Sequence, residues 1–317
     1  YALVYLWMPI VLAVLGVLGA RGFDKPTDGL IYEGESSYNY IQVVQDGDFR
    51  YLRLNEGQGV HSIYHPTQLF YGGPWEQVLA APYFNPAPFF PAQLRSVAIV
   101  GLAAGTTARQ ISAAYGPVQI DGFEIDPRIA AVGREYFAMD QANLSVYTQD
   151  GRYGLAHSNR RYQVISLDAY RPPYIPWHLT TVEFFQEVRD HLTDDGVVTI
   201  NVGRAPGDRR LIAALTATLL EIFPAVHLID IPETFNSILY ATVQPSAAAN
   251  LEANRRLLVE AGNTHPLILL SVQTALDNLQ PAPSGGMVFT DDRAQIEWIT
   301  NDMIVRFFLA GGTEQMQ

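Results

Sequence analysis

The sequence predicts an α/β chain centred on a Rossmann-like, mostly parallel sheet closed by an antiparallel last strand. Three observations carry that prediction. Strand-like apolar runs alternate with helix-like segments between residues 97 and 243, the pattern of strands joined by crossover helices. The run Val97-Ala98-Ile99-Val100 passes directly into Gly101-Leu102-Ala103-Ala104-Gly105, a glycine turn of the kind that admits close approach of a ligand to backbone. Three acids, Glu124, Asp150 and Asp168, each stand just past a strand-like run, which would set them along one carboxyl edge of the sheet.

Taken in order, residues 1–21 form an apolar segment with no charge from Tyr1 to Ala20. A helix over residues 2–20 is just long enough to cross a bilayer of roughly 30 Å. Tyr1, Tyr5 and Trp7 lie near one end, where interfacial aromatics belong. A transmembrane helix is therefore expected, anchoring the chain in a membrane. By the positive-inside bias, Arg21 and Lys25 favour a cytoplasmic side for the soluble part of the chain, which is the location expected here.

Residues 22–63 are expected to form a small N-terminal β-domain. Leu30-Ile31-Tyr32, Tyr40 to Val44 and Tyr51 to Leu54 read as strands, and Asp46-Gly47 reads as a hairpin turn. Residues 64–94 are an aromatic and proline-rich connection with a short helix near Trp75 to Ala81.

Residues 95–245 make the nucleoside-binding domain. Its strands are expected at 97–100, 118–123, 144–147, 163–167, 196–202, 226–231 and 237–243, and its helices near 106–115, 128–137, 151–157, 180–192 and 208–222. The last two strands have no helix between them, hence an antiparallel hairpin. Residues 246–317 are a helical segment, with helices over 247–277 and 294–309 around a Pro/Gly/Ser loop. Asp194-Asp195-Gly196 reads as a turn, and Thr290-Asp291-Asp292-Arg293 as a helix cap with a salt bridge.

Composition narrows the function. At 317 residues and 48% hydrophobic, the chain suffices for one large domain or two modest ones. A net charge of −12 excludes a phosphate-backbone partner, so no nucleic acid is expected. Without cysteine there are no disulfides, thiolate zinc sites or cysteine nucleophiles. The seven histidines contain no pair at helical ligand spacing, so no metal is expected.

About twenty residues separate the glycine turn from Glu124, the spacing at which a carboxylate reaches the hydroxyls of a ribose. Singly, the turn is an ordinary strand-to-helix turn and Glu124 a solvated strand end. Their order and spacing together point to a nucleoside site. The third glycine of a dinucleotide fingerprint is missing, which favours S-adenosylmethionine or a relative over a pyrophosphate-bearing cofactor.

These residues resemble the spermidine synthase family of aminopropyltransferases, and within it the bacterial spermidine-synthase-like proteins whose soluble domain comes after a membrane segment. The resemblance covers roughly residues 30–243. It implies a small N-terminal β-domain before a class I methyltransferase-type sheet. It rests on Glu35-Ser36-Ser37-Tyr38-Asn39-Tyr40-Ile41, on Gly101 to Thr107, on Glu124-Ile125-Asp126-Pro127, on Asp150-Gly151 and on Asp168. By resemblance, Asn39, Gly101, Gly105, Glu124, Asp126, Asp150, Gly151 and Asp168 bind S-adenosylmethionine or its decarboxylated form. Glu124 would take the ribose and Asp150-Gly151 the adenine.

The departures bear on the acceptor. The family's aspartate inside the glycine turn is here Ala104, and its second loop aspartate is here Arg171. A Tyr-His pair ahead of a Glu is replaced by Pro74-Trp75-Glu76. A diamine dication in a closed site needs carboxylates, so the small-molecule acceptor is expected not to be putrescine. Asp168, Tyr170 and His178 are the catalytic candidates, with His61 and His65 approaching from the N-terminal domain. Two classes of function are compatible with these residues. One is a membrane-tethered transferase moving an aminopropyl or methyl group. The other is a non-catalytic structural or regulatory subunit of a membrane complex. A homodimer is the alternative association.

Overall fold

The structure, a computed structural model, describes residues 7–19, 27–55, 59–170 and 174–309. Helix α1, Trp7–Gly19, comes first. Among the described residues no helix is long and apolar enough to cross a membrane. The expected transmembrane helix, and the membrane-anchored location inferred from it, are therefore corrected. An α-helix of 13 residues spans about 20 Å against the roughly 30 Å of a bilayer core. The uncharged run set the composition of this segment, but continuous helix length is a separate condition. Residues 1–6 and 20–26 lie outside the described residues.

Strands β1 (Leu30–Glu35), β2 (Tyr40–Asp46), β3 (Phe49–Leu54) and β4 (Val60–Tyr64) form an antiparallel sheet in sequential order. Its inner face carries Ile41, Val43, Leu52 and Leu54, all buried against Ala104, Ile129, Val132 and Phe137. The small sheet thus lies on the glycine turn and on α4 (Pro127–Tyr136). Polar contacts fix the seat. Ala104 N donates to Ser62 Oγ at 3.0 Å, and Ile63 N donates to Thr106 Oγ1 at 2.9 Å.

Helix α2 (Pro74–Gln77) and a 3₁₀ segment (Val78–Phe84) lead into the main domain. There β5 (Ser96–Val100), β6 (Gln119–Glu124), β7 (Leu144–Thr148), β8 (Tyr162–Leu167), β9 (Leu192–Gly203), β10 (Ala225–Asp230), β11 (Asn236–Thr242) and β12 (Leu279–Gln280) make one sheet. The order is β12-β10-β11-β9-β8-β5-β6-β7. Strands β5 to β9 are parallel, and β11 runs antiparallel to both β9 and β10. The strand order reverses between β5 and β8, the point at which open α/β sheets leave a crevice at their carboxyl edge.

Strand β5 shows why the sheet is central. Val97 and Ile99 enter the core formed with α3 (Thr106–Tyr115), α8 (Ala248–Ala261) and α9 (Pro266–Asp277). Ala98 and Val100 enter the opposite core, with α5 (Gly151–Ala156), α6 (Val182–Asp190), α7 (Arg210–Leu220) and α10 (Ile296–Leu309). A strand buried on both faces reads as an unbroken apolar run.

Two expectations are refined. Asp194-Asp195-Gly196 belongs to β9, where Tyr162 pairs with Leu192 and Val164 with Val197. The residues form an irregular bulge inside a strand rather than a turn that ends one. The helical stretch over 247–277 is two helices, divided by Gly262 (φ 71°) and by Pro266 at the start of α9, in keeping with the rules for helix stops and starts.

The close seating of β8 on β5 requires Gly101. Its φ is 86°, and a Cβ there would lie 2.4 Å from the carbonyl oxygen of Asp168. Gly101→Ala is expected to lower unfolding free energy by roughly 2–3 kcal/mol, combining left-handed strain with a backbone clash. Denaturant melts of the two proteins check this.

Candidate active site

A cavity of about 430 Å³ opens along the carboxyl ends of β5, β6 and β8. Its size suits a nucleoside-sized ligand. The N-terminal sheet contributes Asn39, Leu54 and His61 to the wall, while the main domain contributes Gly101, Glu124, Asp150, Gly151 and Asp168. Tyr170 and His178 also line it. Gly105 and Asp126 are not among the lining residues and serve the site from behind.

Glu124 ends β6 and is buried. Its Oε2 accepts from Ala103 N at 2.9 Å, and its Oε1 from Asp126 N at 3.0 Å. Burial pushes the carboxyl up to about 7. A carboxylate has about four lone-pair sites. With two taken by amides, two remain, the number that the vicinal hydroxyls of a ribose require.

Asp126 caps α4, where its Oδ1 accepts from Arg128 N at 2.9 Å. Its Oδ2 accepts from Ser36 Oγ at 2.5 Å and from Asn39 Nδ2 at 3.1 Å. Asn39 in turn accepts from Asn55 Nδ2 at 2.9 Å. Asp126 therefore holds the N-terminal sheet over the cavity. Gly105, at φ 86°, starts α3 in a space that Met139 would deny to a side chain.

Asp150 caps α5 by accepting from Tyr153 N at 3.0 Å, and its other oxygen lies 3.0 Å from His178 Nε2. The hydrogen bond with His178 holds the Asp150 carboxyl below its usual range. The ring of His178 is thus paired with Asp150. Its backbone oxygen accepts from Arg152 Nη1 at 3.1 Å. Arg152 also binds Glu187 of α6 at 2.7 Å and Asp291 at 2.9 Å. The C-terminal Asp291 is therefore a brace for this wall, the salt bridge expected of residues 290–293, but these four residues close a turn ahead of α10, which begins at Ile296, and do not cap it. Arg152 carried no sequence signal of its own beyond its place after Gly151.

Asp168 succeeds β8 at the crevice. Its Oδ1 accepts from Asn201 Nδ2 at 2.9 Å, while Oδ2 has no hydrogen-bond partner among the described residues. Burial pushes this carboxyl up to about 7. Tyr170 donates its hydroxyl proton to Asn201 O at 3.0 Å and accepts from Gly203 N at 2.8 Å. Burial raises its phenol well above the ordinary value, so the hydroxyl stays protonated and ties the loop to β9.

His61 projects from β4 into the wall, whereas His65 accepts from Gln68 N at 2.9 Å in a surface turn. Glu76, fully buried, accepts from Tyr71 N and Gly73 N and stays out of the cavity. Ala104 is buried beneath the small sheet. Arg171 lies outside the described residues. Asn201 was missed because a polar residue in an apolar strand has no spacing that announces it.

The spermine/spermidine synthase domain family matches residues 85–251, more than half of the chain. This chain belongs to that family. A probable polyamine aminopropyl transferase of Bifidobacterium longum is 32% identical over 304 residues, covering 91% of this chain and 66% of the relative. The chain thus spans just under two thirds of that relative's length. Among solved structures, a probable spermidine synthase from Corynebacterium glutamicum superimposes with a TM-score of 0.62 at 19% identity, over 84% of this chain and 99% of that one. A spermidine synthase in complex with the transition state analogue AdoDATO gives 0.56 at 17% identity, over 77% and 88%. At these identities the structural likeness is one of fold.

The carboxyls generate a pH dependence. Glu124, Asp168 and Glu76 are all pushed up to about 7 by burial. Between about pH 4.5 and 7 the folded chain keeps protons that the unfolded chain has lost. These carboxyls therefore contribute stability that falls as pH rises through that window and levels off above it, opposed in part by His61 and His227, whose burial lowers their pKa and adds stability as pH rises towards 6.5. For Glu124 the change is on the order of 3 kcal/mol. Urea melts at pH 5 to 8 measure the slope, and Glu124→Gln should flatten it by about one proton.

Proposed function

We propose that this chain is an aminopropyltransferase that uses decarboxylated S-adenosylmethionine as donor and an amine other than putrescine as acceptor. The observation that carries the donor is the charge of the wall. It holds Glu124, Asp150 and Asp168 and, among the described residues, no lysine or arginine. S-adenosylmethionine ends in a carboxylate, which such a wall repels. The decarboxylated form ends in an ammonium alone, which it attracts.

In this reading Glu124 takes the ribose hydroxyls, Asp150 and Gly151 face the base, and Asp168 stands at the reacting end. The bound sulfonium supplies an electrophilic methylene carbon. The acceptor nitrogen forms the new N–C bond with its lone pair, and the C–S bond electrons pass to sulfur, releasing methylthioadenosine. Asp168 receives the proton that the amine loses. A carboxyl near 7 is matched to that role at neutral pH. Tyr170 and His178 support the site through the backbone of β9 and through Asp150 rather than by taking this proton.

The acceptor is constrained by the same inventory. Glu124 and Asp150 already have both oxygens bonded, Ala104 brings no charge, and only Asp168 offers an unpaired carboxylate oxygen. The donor's ammonium already draws on that oxygen and the attacking amine must be neutral, so an ammonium at the acceptor's other end is left without a countercharge.

Calorimetry with methylthioadenosine tests the nucleoside half. Glu124→Gln is expected to weaken binding by about 1–3 kcal/mol, the loss of a charge-assisted acceptor. Equal affinity would remove Glu124 from the ribose. For the chemistry, Asp168→Asn is expected to lower turnover by roughly 10²–10⁴-fold. Putrescine is expected to be a poor acceptor, and turnover with it on the order of once per second would refute the acceptor assignment.

A further inference from the structure

Among the histidines and carboxylates of the cavity wall, His61 is the one that makes no hydrogen bond to the described residues. Its Nε2 is buried without a partner. A buried, unpartnered nitrogen in a native site costs stability unless something else occupies it. Its neighbours are fixed: Ser62 accepts from Ala104 N at 3.0 Å, and Ile63 bonds Thr106. The contacts on either side hold the strand in place, and His61 forms part of the cavity wall. Burial pushes His61 down to about 4, so at neutral pH the ring carries no charge. It offers one accepting and one donating nitrogen.

We propose that His61 is the specificity-determining residue for the acceptor, binding the acceptor's second polar group by an uncharged hydrogen bond while Asp168 takes its amine. The inference rests on the transferase reading given above. An imidazole dipole serves a hydroxyl well, because the hydroxyl both donates and accepts. It serves a second ammonium badly, because it supplies no countercharge in a buried setting. The acceptor class is therefore a primary amine whose other end is uncharged, an amino alcohol rather than a diamine.

The test uses an isosteric pair, 4-aminobutan-1-ol and putrescine, with decarboxylated S-adenosylmethionine as donor and methylthioadenosine release as readout. The unsubstituted chain is expected to favour the amino alcohol by at least tenfold in kcat/KM. His61→Asp, which installs a carboxylate at the same place, is expected to shift the ratio towards putrescine by at least tenfold. His61→Gln, neutral and able to donate and accept, is expected to keep the original preference, and His61→Ala to raise KM for the amino alcohol more than it lowers kcat. Methylthioadenosine binding is measured on every variant by calorimetry, which separates misfolding from a change of selectivity. If the variants bind methylthioadenosine like the parent and the ratio stays within twofold in His61→Asp, the role of His61 is overturned while the transferase reading stands. A parent that turns over putrescine as fast as the amino alcohol also overturns it. If the parent binds neither methylthioadenosine nor the donor, the transferase reading itself fails.

Discussion

The carboxylate of Glu124 bonds on one side to the amide of Ala103 and on the other to that of Asp126, and these contacts join the pieces from which the site is assembled. Ala103 has a left-handed backbone, φ 49°, a conformation that costs a non-glycine residue about 1–2 kcal/mol. The acceptor at Glu124 offsets that strain and sets the shape of the turn after β5. On its other side, Glu124 fixes the residue that begins α4. Asp126 then receives Ser36 and Asn39, which brings the N-terminal sheet down as a roof. Three segments distant in sequence thus converge through one buried acid.

Burial makes the same acid a sensitive one. Glu124 and Asp168 both sit where desolvation disfavours their charge. A cation or a set of hydroxyl donors arriving in the cavity restores what water would have supplied. A ligand that supplied these partners would stabilise the folded chain at neutral pH by mass action. Asp150 is the contrast: His178 already serves it, and its carboxyl stays ionised. The brace from Arg152 to Glu187 and Asp291 keeps that pair in place.

How far the sequence could be read depended on where the information lay. The turn from Gly101 to Gly105 and the acids Glu124 and Asp150 just past their strands are local, and local backbone requirements leave a signature at fixed spacing, whereas the capping of helices by Asp126 and Asp150 emerges only in the structure. The parallel strands and the antiparallel β10–β11 pair were visible because apolar runs and a missing helix are local too. Asn201 and Arg152 were hidden, since each acquires its partner only when distant strands and helices meet, whereas His61 was expected at the site and lines the cavity, and His65, expected beside it, sits in a surface turn. The opening segment misled for another reason. Trp7–Gly19 satisfies the composition of a membrane span, but a helix of 13 residues does not satisfy its length.

The same division separates two kinds of residue around the cavity. One kind is built from backbone: a glycine that admits the carbonyl of Asp168, helix N-termini capped by Asp126 and Asp150, and strand ends in parallel register. Changing any of these disturbs the sheet itself, so folding and binding constrain them together. The other kind is side chains on β4 and on the residues just after β8, among them His61, Asp168 and Tyr170. Ala104 packs comfortably under the small sheet, so nothing in the fold demands an acid there. Substitution at such positions alters which charges the cavity tolerates and leaves the core untouched. The first kind is tied to the fold and the second is not, because the two are specified by different parts of the chain.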